Sequence, residues 1–209
     1  AGSAWRQGHW NVKVKTPAGP LAYSLQVAGR HNVRNSTAAV ACALAAGAPL
    51  GAIASGLQSF TPVRGRSRAI DVMVDGRSVT LVDDTYNANP DSVRAAIDLL
   101  AGLPGPRLLV LGDMGEVGDQ GPQFHHEVGG YARERGIESL FTLGEQAAAM
   151  GGRHFGDIGS LNAAVLAQLP RAASVLVKGS RFMKMERVVQ AVTAQRERPQ
   201  EKKETGHAA

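Results

Sequence analysis

The chain has 209 residues, 44% of them hydrophobic and 20% charged, with a formal net charge of +5. That is ordinary globular composition, long enough for one large or two small domains. Aromatics make up only 5% and the basic residues are scattered, which argues against the stacking platforms and basic stripes of a nucleic-acid binder, whereas a modest positive field also suits small phosphorylated anions.

In chain order, residues 1–6 lack the layout of a signal peptide, and the chain opens inside a strand-rich segment, as a piece of something longer would. Residues 11–15 and 21–27 alternate in polarity around a Thr16-Pro17-Ala18-Gly19-Pro20 turn and predict a hairpin. Gly29-Arg30-His31-Asn32 leads into an alanine-rich helix of about 14 residues. The lone cysteine, Cys42, lies in that helix. One cysteine forms no internal disulfide, which fits a reducing compartment such as the cytoplasm, and Cys42 reads as core packing. Pro49 starts a second helix whose apolar residues Leu50, Ile53, Ala54 and Leu57 share a face. Residues 59–66 are polar, basic and turn-rich, and a domain boundary falls there.

Strands at 68–74 and 78–82 join through Asp75-Gly76, a strong hairpin turn signal. Asn89-Pro90 then opens a helix, with Asn89 as the cap and Pro90 as the first helical residue. From residue 107 onward strands (108–111, 139–143, 154–155, 174–177) alternate with helices (123–135, around 145–150, 161–169, 183–192). Such alternation implies an α/β domain with a mostly parallel sheet covered on both faces. No apolar run approaches a membrane span. Residues 193–209 are Gln-, Glu- and Lys-rich and read as a disordered tail.

The most informative stretch is Asp83-Asp84-Thr85-Tyr86-Asn87-Ala88-Asn89-Pro90. An apolar strand ends in two carboxylates where α/β sheets bind ligands. Consecutive strand residues point to opposite faces, so one carboxylate at most faces a given ligand; there it could accept both hydroxyls of a ribose. Asn32 and Asn35, three apart, share a helix face, and an amide matches the N6/N7 edge of adenine; the alternative is that they cap the helix. Arg66, in Arg64-Gly65-Arg66, could reach a phosphate, or be a solvated linker charge. Gly112-Asp113-Met114-Gly115-Glu116-Val117-Gly118 follows a strand but matches neither G-x-G-x-x-G nor a Walker A loop. Lys178-Gly179-Ser180-Arg181, between the last strand and last helix, reads as an anion site or as a plain cap made by Ser180. His125 and His126 lack zinc-ligand spacing.

Taken together these motifs resemble the Mur ligases of bacterial peptidoglycan synthesis. The resemblance rests on Gly-Arg-His-Asn-x-x-Asn at 29–35, Val-Arg-Gly-Arg at 63–66, Asp-Asp-Thr-Tyr-Asn-Ala-Asn-Pro-Asp-Ser at 83–92, Leu-Gly-Asp-Met-Gly-Glu-Val-Gly at 111–118, His125 with Glu-Val-Gly at 127–129, and Val-Lys-Gly-Ser-Arg at 177–181. It implies a Rossmann-like carboxy-terminal domain (62–192) preceded by the terminal part of an ATP-binding domain (1–61). It also implies ATP-dependent amide ligation. A UDP-N-acetylmuramoyl-tripeptide carboxylate becomes an acyl phosphate, and the amine of D-alanyl-D-alanine attacks it. By motif, Asn32 and Asn35 correspond to adenine contacts, Arg66 to a phosphate arginine and Asp84 to the ribose carboxylate, with Tyr86 beside it. Asn87, Asn89 and Asp113 fall on the substrate side, and Lys178, Ser180 and Arg181 face the incoming carboxylate or the acyl phosphate. The family's Gly-Lys-Thr/Ser phosphate loop is absent from this sequence, as are its main Mg2+ ligands and UDP-binding domain, which the family carries upstream. The fragment is therefore expected to be inactive alone. The competing reading is a non-catalytic nucleotide- or anion-binding α/β module.

Overall fold

The computed structural model describes residues 2–6 and 9–194. The first unit is a three-stranded antiparallel sheet, β1 (Gly2–Arg6), β2 (His9–Thr16) and β3 (Gly19–Leu25), in the order β1-β2-β3. The expected hairpin is β2–β3; the additional strand β1 pairs with β2, setting Trp5 opposite Trp10 with their rings edge-on at 5.4 Å. Alternation fixes the inner face: Val12 lies opposite Tyr23 in the register, and both are buried. Helices α1 (Arg30–Ala45) and α2 (Leu50–Gln58) cover that face. The α1 residues Val33, Ser36 and Val40 point inward, and the Tyr23 hydroxyl meets Ser36 Oγ at 2.7 Å. Burial there raises the tyrosine's pKa. Cys42, read as core, is exposed: two residues beyond Val40 is about 200° around a helix, on the outer face.

The second unit holds a six-stranded sheet. Strands β4 (Arg68–Val74) and β5 (Arg77–Asp84) form a hairpin whose turn residues Asp75 and Gly76 have φ of 48° and 77°, the left-handed pair that a two-residue hairpin loop requires. The order is β4-β5-β9-β6-β7-β8, where β6 is Arg107–Gly112, β7 Ser139–Leu143, β8 Arg153–Phe155 and β9 Ser174–Lys178. All neighbours except β4 and β5 run parallel.

Consecutive residues on the central strands feed opposite cores. Leu81, Leu108 and Val175 pack with α5 (Ile158–Gln168) and α6 (Glu186–Ala194). Val82, Leu109 and Leu176 pack with α3 (Pro90–Ala101) and α4 (Gly121–Glu134). A sheet buried on both faces needs such near-continuous apolar strands.

Three sequence expectations need correction. Residues 146–150 form a 3-10 turn, not an α-helix. The last helix begins at Glu186 and not near 183: residues 181–183 make a 3-10 turn, and Lys184 at φ 50° interrupts the helical path. Thr193 and Ala194 finish α6, so the expected tail is shorter by two, and its remainder, 195–209, lies outside the described residues. Among those described, no helix is long and apolar enough to cross a membrane.

Candidate functional site

The site forms where the carboxyl ends of β5 and β9 meet the first unit. Parallel pairing sets Asp84 opposite Lys178 in the register, so their side chains leave the sheet on the same face. Lys178 Nζ donates to Asp84 Oδ2 at 2.7 Å and to the Asn87 carbonyl at 2.7 Å. The other Asp84 oxygen, Oδ1, accepts from Ser67 N at 2.9 Å and Ser67 Oγ at 3.1 Å.

Asp83 turns the other way, as strand geometry requires. Its carboxylate is buried and accepts from Gly65 N at 3.0 Å and Thr85 Oγ1 at 2.7 Å. Tyr86 N returns a bond to Gly65 O at 3.0 Å. Gly65 has φ +79°, and a Cβ there would lie 2.9 Å from Tyr86 N, so the tight approach of loop 63–67 to loop 85–87 needs glycine. The result places the Arg66 guanidinium 4.0 Å from the centre of the Tyr86 ring, a cation–π contact that fixes the arginine's plane.

These groups line a cleft of about 740 Å³ between the two units. It gathers Asn32, Asn35, Arg66, Asp84, Tyr86, Asn87, Asn89 and Lys178 from the sequence-predicted set. Leu25, Val27, Leu57, Phe60, Pro62 and Val63 supply an apolar wall. Neither α1 asparagine caps its helix: the cap is Gly29, with no side-chain bond. Instead Asn32 Nδ2 donates to Ala28 O at 2.7 Å, and Asn35 Nδ2 donates to Asn32 Oδ1 at 3.2 Å. That chain leaves the Asn35 carbonyl oxygen and one N–H on each amide unassigned. Asn89 caps α3 as expected, accepting from Ser92 N at 2.8 Å while Ser92 Oγ accepts from Asn89 N at 3.0 Å.

Asp113, Ser180 and Arg181 are not part of the cleft lining. Asp113 is buried, its Oδ1 accepting from Ala147 N at 2.7 Å. Ser180 stands at the cap of the 181–183 turn but makes no side-chain cap bond: its Oγ accepts from Gly115 N and donates to Ala88 O at 3.1 Å, while its own N–H reaches Asp113 O at 2.9 Å. Arg181 stands on the surface, paired with Glu186 at 3.2 Å. His125 is buried between Met114 N, 2.9 Å from Nε2, and Gly121 O, 2.6 Å from Nδ1. An amide only donates and a carbonyl only accepts, which fixes the Nδ1–H tautomer and ties the 113–118 loop to α4.

Ser67 was missed in the sequence. No property of a serine after Arg66 signals φ 48° or burial against a carboxylate. His31 also lines the cleft. Burial holds its imidazole below the ordinary histidine value, with Lys178 pushing the same way and Asp84 opposing. Among the described residues no three His, Cys, Asp or Glu side chains converge to hold a metal ion.

A cleft with an apolar wall, paired amides, a carboxylate and a guanidinium lies at the carboxyl edge of a parallel sheet, where α/β folds bind ligands. The Mur ligase, glutamate ligase domain family matches residues 65–181, and the chain belongs to that family. A similar protein is the UDP-N-acetylmuramoyl-tripeptide–D-alanyl-D-alanine ligase of Escherichia coli K12, 38% identical over 186 residues, covering 86% of this chain and 40% of that protein. A MurF crystal structure from Acinetobacter baumannii superposes with a TM-score of 0.79 at 35% identity, covering 90% of this chain and 42% of that one. A MurF ligase from Thermotoga maritima, solved with ADP, shares the fold at TM-score 0.80 and 21% identity, covering 93% and 45%. The chain thus spans about 40% of the length of the curated relatives it matches.

Proposed function

We propose that this chain is the carboxy-terminal portion of an ATP-dependent amide ligase that joins D-alanyl-D-alanine to a UDP-N-acetylmuramoyl-tripeptide. The observation that carries the reading is the convergence of Asn32, Asn35, Arg66, Asp84 and Tyr86 on one cleft, in a chain similar to enzymes named for that ligation. The domain division follows, with residues 1–61 closing an ATP-binding domain and 62–192 forming a second domain over it.

In this reading the α1 amides take the adenine edge. Asp84 takes a ribose hydroxyl: Oδ1 already accepts two donors and Oδ2 one, so one lone pair remains on Oδ2. Arg66, braced by Tyr86, meets the phosphates. The tripeptide carboxylate attacks the γ-phosphorus, ADP leaves, and an acyl phosphate forms. The amine of D-alanyl-D-alanine attacks the acyl carbon and loses a proton as inorganic phosphate departs. Mg2+, when bound, would supply charge neutralisation at the phosphates, as is general in phosphoryl transfer, and an amino-terminal portion of the same enzyme would hold its ligands, the phosphate loop and the UDP site. Arg181, exposed and paired with Glu186 at 3.2 Å, would exchange that partner for the dipeptide carboxylate. Asn87 and Asn89 border the substrate side, while Asp113 and Ser180 shape the loops that carry it. Use of ATP places the protein in the cytoplasm.

The test is phosphate release by the complete enzyme, dependent on both UDP-tripeptide and D-alanyl-D-alanine. Asp84→Ala should raise the KM for ATP about tenfold or more, the effect of losing a charge-assisted hydrogen bond. Release indifferent to D-alanyl-D-alanine sinks the reading.

A further inference from the structure

Lys178 differs from the other charged residues of the cleft lining in being buried. Its side chain is 5% exposed, and a buried ammonium persists only where bonds replace its hydration. Both bonds go to one loop, Asp84 Oδ2 and Asn87 O, each at 2.7 Å. Two residues on, Ser180 Oγ donates to Ala88 O of the same loop at 3.1 Å. The end of β9 and the turn after it therefore hold residues 84–88 at three acceptors, and that stretch carries three residues that line the cleft, Asp84, Tyr86 and Asn87. Two of the three ammonium N–H groups are thus committed to acceptors at residues 84–87, and a side chain only 5% exposed gives the third little reach into the cleft.

We propose that Lys178 is a positioning residue. Its ammonium sets the shape of the 84–88 loop and so the aim of Asp84 and Tyr86 into the cleft, and it does not touch the reacting groups. The kinetic consequence rests on the ligase reading above; the structural one does not.

The variants are Lys178→Met, Asp84→Asn and the two combined. In the 209-residue chain, Lys178→Met is expected to speed amide exchange across residues 85–89 by about tenfold or more, because removing one partner leaves a buried charge uncompensated. In the complete enzyme each single variant is expected to raise the KM for ATP more than it lowers kcat. The double variant should be no worse than the worse single, since both act through one carboxylate.

Unchanged exchange in the chain overturns the proposal, as does a kcat loss from Lys178→Met that persists undiminished on the Asp84→Asn background. If exchange rises while the complete enzyme ligates nothing, the clamp stands and the ligase reading falls. Should Lys178→Met not fold, the unaltered chain decides. The ammonium protons of Lys178, held in buried bonds, should be visible by NMR at neutral pH, and their absence overturns the proposal.

Discussion

At the scale of single residues, His31 couples the cleft to pH. Burial lowers its pKa from the ordinary 6.5, and the Lys178 charge acts in the same direction. Above that value the imidazole is neutral in both the folded and unfolded chain. As pH falls below it, the unfolded chain takes up the proton more readily, so folding stability declines with acidification. The melting temperature of the unaltered chain should therefore drop more between about pH 7.5 and pH 5.5 than that of His31→Gln, measured by calorimetry; parallel curves would remove His31 from the account. The neighbouring ion pair is of another kind. Lys178 and Asp84 have side-chain exposures of 5% and 13%, and breaking one partner of such a pair costs about 3–5 kcal/mol, mostly because the other charge is left buried. The exposed pairs on the helices, such as Arg94 with Glu127 at 2.9 Å, lie in solvent and contribute about 1 kcal/mol at most.

At the scale of elements, local chemistry decides where α3 begins. Asn89 and Ser92 satisfy each other's backbone N–H groups, and Pro90 occupies the first helical position. Replacing Asn89 by Ala should cost about 1 kcal/mol in urea denaturation, the ordinary value of an N-cap; no change in the midpoint would assign the helix start to packing alone. This boundary was readable in the sequence because its signal is local. The β4–β5 turn and the alternation of strand and helix were readable for the same reason. Other features depended on contacts the sequence does not print. Strand β1 is a strand through its pairing with β2. The delayed start of α6 follows from Lys184 adopting a left-handed conformation, for which lysine gives no warning. Asn32 and Asn35 stand in cap-like types at a helix start, yet Gly29 at φ 93° has already taken the cap, leaving the amides for the cleft. The carboxylates were half legible. Strand alternation said that one of the two faces away, but only the fold reveals that Asp83 anchors Gly65 while Asp84 meets Lys178.

For the molecule as a whole, the cleft lies between two units, and its contacts are unevenly supplied. One wall is apolar and carries the α1 amides; the other offers Asp84 and the Arg66–Tyr86 stack. A triphosphate would find one guanidinium of the cleft lining and no phosphate loop in this sequence. Titration of the 209-residue chain with ATP in a calorimeter should accordingly give a dissociation constant weaker than about 1 mM, corresponding to less than about 4 kcal/mol of binding. Micromolar binding would instead favour a self-sufficient nucleotide-binding module over the carboxy-terminal portion of a ligase.

The edge-on pair of Trp5 and Trp10 on β1 and β2 has an optical consequence. The chain has two tryptophans, and both sit in the first unit, so tryptophan emission reports the melting of that sheet, while the larger sheet from Arg68 onward is dark at those wavelengths. Far-ultraviolet circular dichroism follows both halves together. Overlaying the two signals during denaturation therefore measures, without a label, how firmly the bond from Ala28 N to Ser67 O and the contacts around it bind one half to the other.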